Sequence, residues 1–469
     1  MSKYLTYTLI ASLLAIGSFT LRAQSNDALL NKLVEKGILT AKEADEMKKE
    51  ADNKKIVTTG LNMPDWVTSV KLYGDVRGRM DYIDFENDEK PATKFKNTDR
   101  LRYRVRARAG LTASFKDNLE LGVRLTTADP TSDSSHGGNA LSGNSTFQNN
   151  GSKKFAYIDL AYGKWTPIKN DNWTLSTTIG KMENPFTFSD LVIDNDYTPE
   201  GAAIQLAYKL NDMHSFKLTA GGFIIDEVNQ GNSASSDPTL IGVQLRWDAK
   251  WTKQLESSLG LAALSLSDTE NLTNGSIPDI NVGNSRSTRT NLSNGGSAGG
   301  LTGLLINNYN PLIADGSLTY WIDETPIYKG RFPIRAFGTF VLNPSAPDDN
   351  IGWEAGLALG KAGKKGTWEL SYRYRYLQAD AMFEELVDDD FGAFYAAKSV
   401  LRGSGGGYGA GTNVKGHTVK ASYSPYDALT FSITYFRAEL INQDGFATPL
   451  PKNTDSDTGR LFVDATWKF

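Results

Sequence analysis

Cysteine is absent from this chain of 469 residues, and histidine occurs only at His136, His214 and His417. Without cysteine there is neither a disulfide framework nor thiol chemistry. The three histidines are far apart and lack the spacing of metal ligands, so we expect no metal and no other cofactor. Repeated apolar runs of about twenty residues are also missing, which excludes a helical membrane protein. The net charge of −4 does not suit a nucleic-acid-binding surface.

One segment is much more basic than the chain around it. It covers residues 100–115 and reads RLRYRVRARAGLTASF, with arginine at every second position of its first half. Strict alternation predicts a β-strand, because successive side chains of a strand point to opposite faces. One face of this strand would be cationic and the other apolar. Such a strand suits the wall of a transmembrane barrel, with lipid outside and water in the lumen.

The same alternation recurs along the rest of the chain. Sixteen segments show it, and the connections between them are alternately long and short. This alternation of loop lengths is typical of an up-and-down barrel that has long loops at one end and short turns at the other. A soluble sandwich gives no reason for it. The sequence therefore predicts an all-β fold, a transmembrane antiparallel up-and-down β-barrel of about 16 strands with a short N-terminal helical segment. The predicted strands are 68–82, 100–115, 119–128, 154–165, 173–181, 201–210, 215–225, 239–251, 254–266, 311–321, 331–342, 351–361, 366–377, 413–424, 428–440 and 459–469.

The composition divides the chain into three consecutive parts. Residues 1–23 begin with Lys3 and contain the apolar stretch LIASLLAI, which predicts a signal peptide for export. Residues 24–65 have amphipathic helical patterns and predict a periplasmic helical segment with a linker. Residues 66–469 are the predicted barrel. We therefore expect the protein in the outer membrane of a Gram-negative cell.

Aromatic residues agree with this location. Seven tryptophans lie near the short connections, where their rings would form a girdle at the periplasmic membrane interface. The last alternating segment ends on Phe469. A terminal aromatic residue on such a strand resembles the signal that the barrel assembly machinery reads, so we expect that machinery as a partner.

Four stretches carry a resemblance to a known family. They are RLTTADP (124–130), GKMENPF (180–186), SDLVIDNDYTPEGAA (189–203) and FPIRAFGTFVLN (332–343). With these stretches the chain is similar to the putative porins of Gram-negative outer membranes and distantly similar to phosphate-selective porins. The resemblance implies a sixteen-stranded channel for passive diffusion, assembled as a homotrimer among outer-membrane lipids.

The alternation also identifies the residues that would line the pore. At about 3.3 Å per residue, the five arginines of 100–108 span roughly 26 Å, most of a bilayer thickness. Each arginine turned towards lipid near the midplane would cost about 2–4 kcal/mol, so the set must face water. The predicted pore-lining residues are Arg77, Arg79, Arg100, Arg102, Arg104, Arg106, Arg108 and Arg124.

The connection 182–200 mixes acidic and large apolar residues, a composition that suits a loop folded into the barrel mouth. Its acids would oppose the arginines and set a transverse field across a constriction. Small hydrophilic solutes would diffuse past it, and anions would be favoured. The candidate constriction residues are Glu183, Asp190, Asp194 and Asp196. The Asn-, Ser- and Gly-rich connection 267–310 is predicted to be a solvated extracellular loop.

Other functions remain open from sequence. The long connections permit an adhesive or structural barrel, which would not conduct ions. A lipid-acting enzyme would need a nucleophile with a nearby base, and no histidine has an evident partner at strand spacing, so we expect no enzymatic activity. The arginines also have a purely structural interpretation, in which each one is paired with an acid of the lumen.

Overall fold

The structure is a computed structural model. It describes residues 63–85, 100–129, 141–227, 237–269, 272, 282–285, 305–392, 411–442 and 458–469. The predicted signal peptide and almost all of the predicted helical segment lie outside these residues. Within the described ranges, no helix is long and apolar enough to cross a membrane.

Alternating sequence becomes β-structure throughout the described chain. The helical element that lies wholly within the described ranges is a 3-10 turn, Lys116–Asn118, in which Asp117 and Asn118 have positive φ. Asp and Asn tolerate this conformation, which closes a tight hairpin. The strands are β1 (Val67–Phe85), β2 (Arg100–Phe115), β3 (Leu119–Ala128), β4 (Ser145–Thr146), β5 (Phe155–Lys169), β6 (Trp173–Lys181), β7 (Glu200–Lys209), β8 (His214–Ile224), β9 (Thr239–Lys250), β10 (Leu255–Ser267), β11 (Leu312–Ile322), β12 (Phe332–Leu342), β13 (Ile351–Gly360), β14 (Thr367–Leu377), β15 (Val414–Tyr426), β16 (Leu429–Leu440) and β17 (Thr458–Lys468).

Two compact units make up the chain. The smaller one consists of residues 1–71 and 113–115. In it the rings of Trp66 and Phe115 are 5.3 Å apart, and the Thr68 hydroxyl donates a hydrogen bond to the Ser114 carbonyl. The larger unit contains residues 72–112 and 116–469 and carries the barrel and the site described below.

The sheet closes on itself in the larger unit. From β5 onwards each strand pairs antiparallel with the next, and β3 pairs with β5. The last strand then returns to the first, with Asp75 opposite Lys468 and Tyr82 opposite Leu461. The two-residue strand β4 extends the wall beside β2. The predicted closed antiparallel barrel of sixteen strands is confirmed.

The two faces of the strands differ as the alternation predicts. On β9, Ile241, Val243 and Leu245 are exposed on one face, whereas Leu240 and Gln244 are buried on the other. Exposed apolar residues on the outer face are the usual surface of a barrel wall in lipid. The polar or covered face is therefore the inner one.

Three loop segments, 182–199, 282–285 and 378–391, lie together on the inner side of the barrel. Apolar residues of the first and third pack with the inner faces of several strands in one cluster, which we call the loop core, and 282–285 is attached to the third by hydrogen bonds of Asn284. Val192, Met382 and Phe383 are fully enclosed. The loops also bond directly to each other, since the Asp194 amide donates to the Leu386 carbonyl at 2.7 Å.

Segment 282–285 differs from the expected solvated loop. Asn284 is fully buried, and its side-chain amide donates to the carbonyls of Ala379 and Met382 at 2.6 and 2.8 Å. The Glu384 amide donates to the Asn284 side-chain oxygen at 2.9 Å in return. Gly283 and Gly411 have positive φ, and at each of them a Cβ would collide with the opposite segment. The polar side chain of Asn284 therefore binds backbone groups rather than water.

Candidate functional site

The inner faces of β1, β2 and β17 carry a dense set of arginines, which we call the arginine wall. Because charged residues on these strands occur at every second position, the pleat directs them all to the inner face. Each of these arginines is buried or half-buried. The arginine wall consists of Arg77, Arg79, Arg102, Arg104, Arg106, Arg108 and Arg460.

Aspartates of the same three strands hydrogen-bond to most of the wall. Arg108 donates to Asp75 at 2.7 Å, and Arg79 donates to Asp464 at 2.8 and 3.0 Å. Asp81 accepts from two arginines, Arg102 at 2.7 Å and Arg460 at 3.1 Å. Asp75 and Asp81 share the face of Arg77 and Arg79 because an even number of residues separates them along β1.

Loop aspartates complete the pairing. The predicted constriction residue Asp196 accepts from Arg106 at 3.0 Å. Asp390, from the third loop segment, lies 3.3 Å from both Arg79 and Arg460. The arginine wall therefore holds two loops as well as the strands.

Two wall arginines make no hydrogen bond to a carboxylate among the described residues. Arg77 donates to the side-chain oxygen of Asn144 at 2.8 Å. Arg104 is 3% exposed, and its nearest carboxylate oxygen, on Asp81, is 3.7 Å away. The Nε atoms of both arginines have no hydrogen-bond partner.

The other predicted constriction residues bind arginines outside the wall. Asp190 bonds to Arg373 and Arg375 of β14, which also contact Glu354 and Asp388. Arg124 of β3 donates to Asp159 and to Glu183, the latter at 2.8 Å. Each predicted constriction acid except Asp194 thus pairs with an arginine.

Asp194 instead lies in an acidic group that sequence reasoning missed. Its carboxylate oxygens and those of Asp388 and Asp389 are within 4.8 Å of one another. A cation could approach such oxygens, but Asp194 already accepts the amides of Asp196 and Asp389. The run of three aspartates at 388–390 was the available signal, although nothing in the sequence shows that this loop enters the barrel.

Crowding and burial change the acidity of these loop carboxyls. Burial, with the nearby charge of Asp388, raises the pKa of Asp194 to about 8. Burial and Asp190 raise the pKa of Asp388 to about 6. Burial alone would raise the pKa of Asp390, but Arg460 and Arg79 hold it below its usual range. The acidic group is therefore partly protonated near neutral pH.

A cavity of about 630 Å³ lies between the arginine wall and the loop acids. The cavity brings together seven predicted site residues, namely Arg77, Arg79, Arg106, Arg108, Asp190, Asp194 and Asp196. Serines and threonines of β15 and β16 also line it. A second cavity of about 390 Å³ is lined by Arg108, Arg124, Glu183 and Asp194. Arg102 and Arg104 line neither of these two cavities, and Arg100 is exposed at the start of β2.

Comparison with known sequences gives one family. Residues 87–309 match a family model described as putative porin. The resemblance to putative porins is confirmed. No curated protein matches the chain.

Solved porins resemble this chain at low sequence identity. OprB from Pseudomonas putida, in a high-pH structure, is 10% identical. The match covers 85% of this chain and 94% of the OprB chain, with a TM-score of 0.50. OmpF from Salmonella typhi, in complex with daunomycin, is 11% identical, covers 86% of this chain and 98% of that chain, and has a TM-score of 0.42. The outer membrane channel DcaP from Acinetobacter baumannii is 12% identical. The match covers 86% of this chain and 97% of the DcaP chain, with a TM-score of 0.40. The likeness to OprB concerns the fold alone. The family match and the closed barrel together support an outer-membrane channel.

Proposed function

We propose that this putative porin is a water-filled channel for passive diffusion of small hydrophilic solutes, with a preference for anions. The observation that carries the proposal is the cavity between the arginine wall and the inward-folded loops. Its lining is charged or hydroxylic on nearly every side, which suits hydrated solutes and opposes the passage of bulky apolar ones.

The preference for anions rests on the local charge of the wall. Seven arginines are balanced by three strand aspartates and by Asp196 and Asp390 of the loops. A positive excess of two charges remains on this side of the lumen. Because the Debye length at physiological salt is about 8 Å, such an excess acts over much of a narrow pore.

The loop acids oppose this preference. Asp194, Asp388 and Asp389 are close together, and burial with mutual repulsion raises the pKa of each of them. Partial protonation reduces their negative charge near neutral pH. The cavity then has a transverse field, positive at the strands and weakly negative at the loops, in which small dipolar solutes can align.

Planar-bilayer recording of the purified full chain tests the channel. We expect discrete conductance steps. In a potassium chloride gradient, the reversal potential should have the sign of a chloride-selective channel. Cation selectivity would refute the preference for anions. A folded barrel without conductance would refute the channel and favour the adhesive or structural alternative, and lipid hydrolysis by the same sample would favour the enzymatic one.

Export and assembly follow from the same proposal. We infer export by residues 1–23, a homotrimeric assembly, and recognition by the barrel assembly machinery through Phe469. Phe469 is 69% exposed, and its backbone exchanges hydrogen bonds with Gly74 at 3.1 Å. Deleting Phe469 should lower the amount of folded, heat-modifiable barrel while export continues. Unchanged amounts would contradict this role.

A further inference from the structure

One short turn of the barrel is more basic than the others. Antiparallel pairing places the short turns between neighbouring strands at one end of the barrel, which we call the short-turn end. Within the described chain these turns are 116–118, 170–172, 210–213, 251–254, 323–331, 361–366 and 427–428. Turn 361–366 reads KAGKKG and has three lysines and no acid, whereas the excess of positive charge in each other turn is at most one.

A fourth lysine comes from the neighbouring turn, 323–331. The Tyr328 hydroxyl joins the two turns, since it donates to the Lys361 carbonyl at 2.8 Å and accepts from the Lys361 amide at 3.3 Å. The next residue, Lys329, lies beside Gly366, where an added Cβ would be 3.6 Å from the Lys329 side chain. Four exposed lysines therefore form one group, which we call the lysine cluster: Lys329, Lys361, Lys364 and Lys365.

Nearby acids do not neutralise the lysine cluster. Asp323 pairs with Arg331 at 3.0 Å, and the Asp427 carboxylate accepts the Lys365 amide at 2.8 Å. Glu324 is the other exposed acid of these turns. With Arg331 counted, five basic residues are accompanied by three acidic ones. Among the residues that the structure describes, no ion pair is formed by a side chain of the lysine cluster, so the positive charge there remains in excess.

The turn that precedes the lysine cluster also brings an apolar side chain to the outer face of the barrel. Trp368 lies on that face of β14, in line with the exposed Leu370, and its indole Nε1 donates to the Ile327 carbonyl at 2.8 Å. The rings of Tyr328, Phe332 and Trp368 are 5.1 to 6.1 Å apart. Ile327 is 69% exposed beside these rings. Aromatic rings with an exposed apolar residue at the edge of a transmembrane wall are suited to the membrane interface.

Basic and apolar groups thus lie side by side where the barrel wall meets water. An anionic phospholipid matches both, because it joins a phosphate to apolar chains in one molecule. We propose that the lysine cluster and Ile327 form a docking site for the headgroup of an anionic phospholipid in the leaflet at the short-turn end. This inference rests on the proposed function, which places the barrel in a membrane, but it does not require conduction.

Native mass spectrometry of the purified full-length barrel tests the site, in detergent that contains equal amounts of phosphatidylglycerol and phosphatidylcholine. We expect the barrel to retain phosphatidylglycerol in preference to phosphatidylcholine. Replacing Lys361, Lys364 and Lys365 together by Gln should lower this preference about tenfold or more, because the attraction to an anionic lipid grows with each lysine. Ile327→Ser should lower the retention of both lipids by a smaller factor.

The matched control removes three lysines from short turns that contain an aspartate. It combines Lys116→Gln, Lys169→Gln and Lys209→Gln, next to Asp117, Asp171 and Asp212. An equal loss in the two triple variants would overturn the site, because the net charge of the barrel would then explain the preference. If the first triple variant fails to fold, Lys364→Gln against Lys116→Gln gives the same comparison.

Two competitors distinguish the lipid from other anionic occupants. Soluble glycerol phosphate lacks the apolar chains and should not displace phosphatidylglycerol at equal concentration. Equal displacement would overturn the lipid site in favour of a free phosphate, and retention of a polyglutamate peptide instead of lipid would overturn it in favour of an acidic protein. A wild-type barrel without lipid preference would overturn it as well. Retention of phosphatidylglycerol by a barrel that does not conduct would refute the channel alone.

Discussion

The inner surface of the barrel has two regions that are built on opposite principles. Along the arginine wall, charged side chains alternate with outward apolar ones, and ion pairs hold the face together. On β8 to β12, inner positions such as Phe223, Leu240 and Ile313 are apolar and covered by the loop core. An inward apolar residue is stable in a barrel only where another segment removes it from water. The comparison shows that strand composition reveals which part of the lumen is open and which part is covered.

The largest expected effect concerns the loop core. Phe383→Ala should cost about 3–5 kcal/mol in the free energy of unfolding, because the side chain is fully enclosed and its removal leaves a cavity. Phe431→Ala, on the exposed outer face of β16, serves as the control and should cost much less. Denaturant unfolding of the purified barrel measures both. Similar losses for the two variants would show that the loop core is not a packed unit.

A smaller effect is expected from the polar contacts that attach this core. Asp380 accepts from the Tyr309 hydroxyl at 3.0 Å and from the Ser285 amide at 2.9 Å, and all three are buried. Asp380→Ala leaves buried donors without an acceptor and should cost about 1–3 kcal/mol. Current noise in bilayers should rise as the segment loosens. A quiet channel of unchanged stability would contradict this role of Asp380.

The strands of the wall and the connection 182–200 were recognisable from the sequence, whereas the other two loop segments were not, for a physical reason. Alternation is a local property, so β2 and β3 could be bounded from their own residues, and the structure has the same bounds. Burial of Asn284 or of Asp388 depends on contacts with segments far along the chain. The missed signal was Leu240 of β9, an apolar inner residue beside the outer Ile241. An apolar inner residue in a water-filled barrel indicates that another segment covers it.

The candidate site was also predictable only in part. The positions of Arg77 to Arg108 followed from the period of two. Their partners did not, because Asp196 and Asp390 reach the wall from loops whose paths no periodicity describes. For this reason the excess of positive charge could be located only in three dimensions.

The acidic group between the loops makes the loop core sensitive to pH. Raised pKa values for Asp194 (about 8) and Asp388 (about 6) mean that the folded state favours their protonated forms. Their contribution to stability is therefore complete below pH 4 and is lost as the pH rises through 6 to 8. We expect conductance fluctuations to increase over that range, and Asp194→Asn to suppress the upper part of the change. Fluctuations independent of pH in the wild type would contradict this.

The smallest effect is expected at an exposed ion pair that flanks segment 182–199. Lys181 and Glu200 form an ion pair at 3.0 Å, with the Glu200 side chain 67% exposed. Exposed pairs contribute about 0–1 kcal/mol, so Lys181→Gln should leave the unfolding midpoint nearly unchanged. A large loss of stability would mean that this pair is covered in the assembled protein.

The reversal potential in a potassium chloride gradient tests the central claim most directly, namely that the arginine wall faces the water of the pore. Arg102, Arg104 and Arg106 are replaced together by Gln, which keeps polarity and most of the length and removes three positive charges. Asp81 and Asp75 then lose partners, so the local field becomes negative. The account predicts a clear shift of the reversal potential towards cations, with the barrel still folded. A folded triple variant with the wild-type reversal potential would contradict it.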